Sequence, residues 1–375
     1  MEKKKREKWM DGVKTIAIFI VLLNHAQVQI PGVNFWGGMF YVPVFFVLAG
    51  YTYRQKEESF LMFVRQKAKR LLTPYFVANI FLLLFFAGKE YFIDKSFTVV
   101  RPQSILGIIY ARNQLFRTNC EDVLLMEMTK HINGGKNVFF MQLMNAPTWF
   151  LPALFLSLIL FDLLMRLCKQ DQKRIGFVTA LCLFVAVVYH YLCPILLPWS
   201  IDVIPYFLFL VQIGFVLKKH HVFAHILGDE PKKTKICRVI AACLLPIFIG
   251  SALINGSSNL SVAVYGNYIF LSLLDAISAS FYVMLFCYLL EFGLKKDRIP
   301  AWLVAPGKHT MAILCYHLFV FMFLETAVTI FCALLGFSSN IYVVTILKLI
   351  MITVTITLFT LLGNRTIRRM KQEIS

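Results

Sequence analysis

Long apolar stretches alternate with short polar loops along almost the whole chain. Each stretch is about as long as the ~20 residues that a helix needs to cross a hydrocarbon core of ~30 Å. With 59% apolar residues and a mean hydropathy of +0.70, the chain is far more apolar than soluble proteins. We therefore predict an all-α, polytopic integral membrane protein that forms a single domain over residues 1–375. The pattern predicts ten transmembrane helices, at 13–30, 36–53, 71–88, 149–167, 176–194, 203–217, 238–254, 268–291, 311–334 and 341–362.

The basic residues follow every second loop. Of the 38 Lys and Arg residues, thirty fall on the loops that share a side with the N-terminus, seven lie in 89–148, and Lys348 lies inside a span. An excess of Lys and Arg marks the cytoplasmic side, so we expect the tails 1–12 and 363–375 to be cytoplasmic. The net charge of +18 is spread over six loops, which argues against a nucleic-acid partner and favours anionic lipids or an anionic cofactor from the cytosol.

Targeting and cysteine patterns exclude other classes. The first apolar stretch is too long for a signal peptide and lacks a small-x-small cleavage site, and we expect no soluble domain at either end. The nine cysteines show no metal-ligand spacing and lie almost entirely in spans or inner loops, so neither a disulfide framework nor a metal site is expected. Residues 89–148 form a long extracytoplasmic loop with apolar clusters that are typical of short amphipathic helices. This loop is either a surface segment on the membrane or a lid over a substrate site.

The first span carries the most informative polar residues. Lys14 and His25 are eleven residues apart, which is three helical turns plus ~20°, so they share one face over a rise of ~16 Å. Asp11 lies one turn before Lys14 and can pair with it. Ionisable groups inside a bilayer are costly and tend to be functional. The pattern indicates a functional face, and a hydrogen-bonded structural histidine is the alternative for His25.

Two other places carry candidate chemistry. His317 is a second histidine within a span, and helix packing is its alternative role. Asp162, Asp275 and Glu325 also lie within spans, where they are either packing or site residues. The basic stretch that holds Arg65, Lys67 and Arg70 precedes a helix that re-enters the membrane. It either anchors that helix on the cytoplasmic side or binds phosphates.

At these residues the chain resembles the membrane-bound acyltransferase family 3, which includes glycan O-acetyltransferases, and most of all its fucose 4-O-acetylase-like branch. The family opens with Asp-x-x-Arg/Lys, then ten residues, then His, which correspond here to Asp11, Lys14 and His25. Its other motifs resemble Phe40 to Gly50, Lys67 to Arg70 before Pro74-Tyr75, Trp149-Phe150-Leu151, Asn255-Gly256 with Tyr265-Gly266-Asn267, and Gly307 with Thr310 and His317. The matches run in order over essentially the whole chain. Tyr41, Ala49, Lys67 and Leu314 depart from the family pattern, which bears on the identity of the acceptor more than on the reaction.

The resemblance implies an acetyl transfer from acetyl-CoA to a glycan hydroxyl, with no permanently bound cofactor. Acetyl-CoA would dock from the cytosol, with its phosphates near Arg65, Lys67, Arg70 and Lys14, and His25 would act as general base. Asp11 and His317 would complete the catalytic group, and Tyr316, His317 or Asn24 would bind the oxyanion. The resemblance also implies acceptor-binding roles for Trp149, Asn255, Asn267 and Tyr316, and a bacterial cytoplasmic membrane as the location.

Alternatives from other classes remain open at this point. A transporter or flippase of a polysaccharide intermediate fits ten spans equally well, although no inverted repeat or paired broken helices are evident. A non-catalytic scaffold would leave Lys14 and His25 unexplained, and the spacing of Asp11, Lys14 and His25 argues against a membrane O-acyltransferase of the unrelated kind. The acceptor, its leaflet, the acyl chain, the organism and the presence of a homo-oligomer are not fixed by the sequence.

Overall fold

A computed structural model describes residues 7–28, 30–55, 57–96, 98–117, 143–228, 231–293, 299–336 and 340–374 of the 375-residue chain. In these ranges the structure is α-helical and contains no strand longer than an isolated bridge. The helices are α1 Trp9–His25, α2 Val33–Gly38, α3 Pro43–Thr52, α4 Phe60–Asp94, α5 Pro102–Tyr110, α6 Phe150–Leu167, α7 Gln172–Leu192, α8 Ile204–Lys219, α9 Val222–Leu227, α10 Pro231–Asn255, α11 Ile269–Phe292, α12 Ala301–Val304, α13 Thr310–Leu334 and α14 Ile341–Ile374.

Eight helices among the described residues are long and apolar enough to cross a membrane, and they match eight of the ten predicted spans. The protein is therefore an all-α polytopic membrane protein, as the hydropathy predicts. The third predicted span is longer than expected, because α4 begins at Phe60 and continues through Pro74 to Asp94. The other two predicted spans correspond to shorter helices, so the total of ten remains a prediction.

The predicted span 36–53 is wrong as a single helix. The chain instead forms α2 Val33–Gly38 and α3 Pro43–Thr52 with turns at residues 39–42. Two adjacent glycines end α2, and Pro43 begins α3. Proline lacks a backbone N–H and so favours the first turn of a helix over its interior. The first predicted span, 13–30, also ends early, because α1 stops at His25.

The helices group into two compact units. The first unit comprises Met1–Phe45, His220–Ile254 and Leu274–Ser375, and the second comprises Phe46–Lys219 and Asn255–Leu273. In the first unit, α1 packs against α2, α12, α13 and α14. Its Trp9 is fully buried and meets the rings of Phe223 and Tyr288 edge-on. In the second unit, α6 packs against α4 and α8, and α7 packs against α8.

Inside the second unit, α3 and α8 approach each other at backbone distance. A Cβ at Gly50 would lie 1.8 Å from the carbonyl oxygen of Val211, and a Cβ at Gly214 would lie 1.9 Å from that of Val47. Small residues at a helix crossing let two backbones touch, which is a common way of packing helices in membranes. Gly50 is also the glycine that ends the motif beginning at Phe40.

We expect Gly50→Ala to destabilise the protein by about 3 kcal/mol, at the upper end of the cost of overpacking, because the new methyl would overlap backbone atoms that cannot turn aside. Thermal denaturation in nanodiscs measures the loss. Gly88→Ala is the matched control, since nothing lies within 4 Å of a Cβ at Gly88 in α4, and alanine is the better helix former there. Equal melting temperatures for the two variants would contradict this account of the crossing.

Candidate active site

The predicted ion pair at the start of α1 is present. The Nζ of Lys14 lies 3.2 Å from Oδ1 of Asp11, and the two residues are one helical turn apart. The Asp11 side chain is buried, whereas that of Lys14 is 31% exposed. A buried carboxylate thus pairs with a lysine whose side chain stays partly exposed.

Gly307 explains how the backbone of Asp11 is seated. A Cβ at Gly307 would lie 1.9 Å from the Asp11 carbonyl oxygen and 2.8 Å from its Cα. The turn Pro306–Lys308 therefore touches the backbone of α1 at the residue that pairs with Lys14. Only a residue without a side chain fits this contact, which gives the glycine of the late motif a structural reason.

Both ends of α1 are bound by charged side chains from distant helices. At the N-terminus, the Glu291 carboxylate of α11 accepts hydrogen bonds from the backbone N–H groups of Trp9, at 2.6 Å, and Lys8, at 3.1 Å. At the C-terminus, Lys348 of α14 donates from Nζ to the carbonyl oxygen of Ala26, at 2.7 Å. Each charge has the sign that the helix dipole favours at that end.

His25 is the last residue of α1 and lies beside His317 of α13. The ring centroids are 5.2 Å apart, with an angle of 49° between the rings. His317 is fully buried, and its Nδ1 lies 3.0 Å from the carbonyl oxygen of Ile313 and 2.9 Å from that of Leu314. Because both neighbours of Nδ1 are acceptors, Nδ1 carries the proton and donates.

The other ring nitrogen of His317, Nε2, is left to accept a hydrogen bond. Nε2 is buried and has no hydrogen-bond partner among the described residues. In the neutral ring with Nδ1 protonated, Nε2 offers a lone pair and no proton. Neutral His317 therefore suits accepting a proton or hydrogen bond better than stabilising an oxyanion.

Asn24, a second candidate for the oxyanion, makes structural hydrogen bonds instead. Its amide nitrogen donates to the carbonyl oxygen of Ile20, at 3.1 Å, and its amide oxygen accepts from Asn34 of α2, at 3.1 Å. Asn34 also donates to the carbonyl oxygen of Val28. These contacts fix the turn that follows His25.

His25 forms one wall of an open cavity of about 500 Å³. The other wall is a single face of α13 beyond His317. It carries the polar side chains of Glu325, Thr326 and Thr329 among apolar ones that include Leu318 and Phe321. Among these residues, only Glu325 is a candidate from the sequence, and its role is open there. Polar residues spaced three and four apart in an apolar helix indicate one polar stripe, and this signal also points to the two threonines.

Comparison with known proteins decides the class. A family model described as an acyltransferase domain, that of acyltransferase family 3, matches residues 7–364. The chain belongs to acyltransferase family 3. No curated protein and no solved structure matches the chain.

The basic residues expected to bind the donor of this acyltransferase begin α4, in the second unit. Arg65 and Arg70 are exposed, and Lys67 lies partly covered with its Nζ 5.0 Å from the centre of the Phe63 ring. Lys67 and Arg70 are one turn apart and share a face, whereas Arg65 lies on another. Their role in binding phosphates stays a prediction.

The residues expected to bind the acceptor lie in different settings. Trp149 ends the turn Ala146–Trp149 of the second unit with its ring 6.2 Å from that of Phe207. In the same unit, Asn255 is buried, and its side chain bonds the backbone of Tyr265 and Tyr268. Asn255 thus holds the 255–268 loop together. Asn267 is exposed in that loop, and Tyr316 is half-buried in α13 of the first unit, next to His317 in the chain.

The long loop 89–148 is described only in part. The first predicted amphipathic helix is present as α5, and Tyr75 of α4 donates to the Ile108 carbonyl within it, at 2.6 Å. Arg112 forms a buried ion pair with Asp202, at 2.7 Å, and burial lowers the pKa of its guanidinium while Asp202 opposes that shift. Residues 118–142, which include the second predicted apolar cluster, lie outside the described residues. Within the part that is described, no three His, Cys, Asp or Glu residues are grouped so that they could hold a metal ion.

We expect Lys348→Met to reduce acyl transfer about tenfold through kcat, with little change in the KM for the acyl donor. The substitution removes the hydrogen bond that holds the end of α1 next to His25, and small displacements of catalytic groups have effects of this size or larger. Steady-state kinetics in nanodiscs checks the split. Lys348→Arg should recover most of the loss, and Lys89→Met, at an exposed lysine of α4, should match the wild type. A loss that appears only in the melting temperature would assign Lys348 a purely structural role.

Proposed function

We propose that this acyltransferase moves an acetyl group from acetyl-CoA to a hydroxyl of a cell-surface or lipid-linked glycan, with His25 as general base. The observation that carries the proposal is the position of His25. It ends a helix that is fixed at both ends, and it faces an open cavity. Its ring centroid lies 5.2 Å from that of the buried His317, whose Nε2 has no hydrogen-bond partner among the described residues. This arrangement suits a base that must reach a substrate while its own orientation is held.

The donor would approach along α1. Lys14 would meet the phosphates of acetyl-CoA at the cytoplasmic mouth, with Arg65, Lys67 and Arg70 as further phosphate ligands. The ion pair with Asp11 keeps Lys14 in place, and the Lys14 side chain stays 31% exposed. The rise of ~16 Å between Lys14 and His25 would then be spanned by the pantetheine arm, which brings the thioester to His25.

The chemical step is a general-base acyl transfer. His25 takes the proton of the acceptor hydroxyl as that oxygen attacks the thioester carbonyl carbon. The new C–O bond forms, the C–S bond breaks, and the proton passes from His25 to the departing sulfur of CoA. Imidazole suits this exchange because it can take and return a proton near neutral pH.

His317 would act as the positioning residue of this pair. Its Nδ1 proton is committed to the carbonyls of its own helix, which leaves its Nε2 to accept an N–H from the neighbouring His25 ring. The second nitrogen of His25 would then be unprotonated and would face the acceptor hydroxyl. In catalytic triads, a third group fixes the tautomer and orientation of the catalytic histidine in the same way. Tyr316 remains the candidate for the oxyanion.

The wider setting follows the family resemblance. We place the protein in a bacterial cytoplasmic membrane with both termini in the cytosol, nearest to the fucose 4-O-acetylase-like branch, and infer direct transfer to the glycan rather than hand-over to a partner. Membership of an acyltransferase family favours this enzyme over the transporter. A homo-oligomer stays open.

We expect His25→Ala to bind acetyl-CoA like the wild type but to lose turnover by about 10²–10⁴-fold, the usual contribution of a general base. Calorimetry gives binding, and thiol release gives turnover, both on protein in nanodiscs. His220→Ala, at an exposed histidine outside the site, is the control. Turnover close to that of the wild type in a properly inserted His25→Ala protein would sink the proposal.

We expect Arg70→Ala and Lys14→Met each to weaken acetyl-CoA binding by about tenfold to a hundredfold, because a charge-assisted hydrogen bond contributes ~1.5–3 kcal/mol. Lys14→Arg should bind nearly as well as the wild type, since the family motif accepts either cation. The control is Arg174→Ala, at an exposed arginine that pairs with Asp171. If Arg174→Ala weakens binding as much as Arg70→Ala, the effect reflects the net charge of the surface and not a site.

A further inference from the structure

One wall of the cavity beside His25 is a face of α13 that carries polar side chains. Its residues on α13 follow helical spacing from Leu318 to Ile330, a rise of ~18 Å along one face. Only 17% of the most apolar part of α13 is buried within the protein, so this helix lies at the periphery of its unit. An ionisable side chain inside a bilayer is energetically costly and tends to be functional. Glu325 is such a residue in α13.

The polar groups of this wall are available to a ligand. Neither Glu325 nor Thr329 makes a side-chain hydrogen bond or ion pair within the part of the chain that the structure describes. Thr326, by contrast, bonds the Met322 carbonyl of its own helix, at 2.8 Å. Glu325 lies eight residues beyond His317, or ~12 Å along the helix axis. Glu325 and His317 are therefore too far apart to share a hydrogen bond, and the carboxylate instead lines the cavity together with His25.

The apolar part of the cavity limits what the ligand can be. Leu318, Phe321 and Ile330 flank the polar groups, and the helix becomes exposed on this side towards Thr329 and Ile330. A free sugar held here would have to leave water for a surface that is largely apolar, which is unfavourable for its unpaired hydroxyls. A sugar attached to an apolar chain would satisfy both parts of the wall.

We propose that this cavity is the acceptor subsite and that it takes a lipid-linked sugar, which Glu325 and Thr329 bind through its hydroxyls. This inference rests on the proposed function and names the substrate class for the same site. One hydroxyl is presented to His25, others donate to the Glu325 carboxylate, and the apolar chain leaves through the open side. In the predicted orientation, α13 starts at the cytoplasmic side, so the stretch beyond His317 places this subsite in the outer half of the bilayer.

The test compares acceptors that differ only in their apolar chain. Wild-type protein in nanodiscs is given radiolabelled acetyl-CoA with methyl or octyl glycosides of glucose, galactose, fucose and N-acetylglucosamine. We expect at least one octyl glycoside to be acetylated with a kcat/KM at least tenfold above that of its methyl counterpart. Equal use of the two series, or use of neither while acetyl-CoA is still hydrolysed, would overturn the inference.

Two variants locate the subsite. Glu325→Gln should raise the KM for the octyl glycoside at least tenfold while the Kd for acetyl-CoA stays within twofold of the wild type. Thr329→Trp should fill the cavity and have a similar effect. Ala327→Trp is the matched control and should leave the KM unchanged. Ala327 is exposed and lies about 200° from Glu325 around the same helix, away from the cavity. A normal KM in both cavity variants would reject the subsite, whereas failure of the wild type to bind acetyl-CoA at all would reject the proposed function itself.

Discussion

Helix α1 is the element on which the rest of the site depends, and it is held by charges at both ends. An α-helix leaves backbone N–H groups unpaired at its start and carbonyl groups unpaired at its end, and such groups are costly wherever the protein buries them without a hydrogen-bond partner. Glu291 takes up two of the former and Lys348 one of the latter. Because Lys14 and His25 belong to the same helix, fixing its two ends fixes together the two side chains for which we propose roles in donor binding and catalysis.

This arrangement also explains how the charges of Glu291 and Lys348 are tolerated among apolar helices. A lone glutamate or lysine among apolar helices is expensive, and removing one member of such a contact leaves the other unsatisfied. Here each charge meets the end of a helix whose dipole has the opposite sign. Gly307 adds a contact of a different kind, since its backbone touches that of Asp11 without an intervening side chain. Helix ends, ion pair and close packing thus converge on one helix.

The sequence predicted the features that depend on local spacing. Hydropathy located the long helices, and the three-residue interval between Asp11 and Lys14 predicted their ion pair, because neighbours on a helix surface follow from its geometry alone. The break between α2 and α3 was missed because apolar content dominated over Gly37, Gly38 and Pro43. The proximity of His25 to His317 came only from family resemblance, since nothing local joins two residues so far apart.

The contacts of Glu291 and Lys348 had no sequence signal at all. Each charge serves a helix that is remote in the chain, and hydropathy can mark such a residue as unusual without naming its partner. Hydropathy likewise marks Glu325 as unusual within a span without indicating its role. The structure places it with Thr329 on one face of α13, in the cavity that His25 also lines. Tertiary packing, and not propensity, decides these pairings.

The two histidines differ in how firmly their chemistry is set. The proton of His317 is assigned by two carbonyls of its own helix, which hold Nδ1 as the donor and leave Nε2 as an acceptor in a dry environment. His25 makes no such hydrogen bond to the part of the chain that the structure describes, and it faces the cavity. A fixed acceptor beside a free imidazole can orient the latter without competing for its proton, because the fixed ring is fully buried and already satisfied at Nδ1. The asymmetry between the rings therefore makes His25, and not His317, the one suited to exchange protons with a substrate.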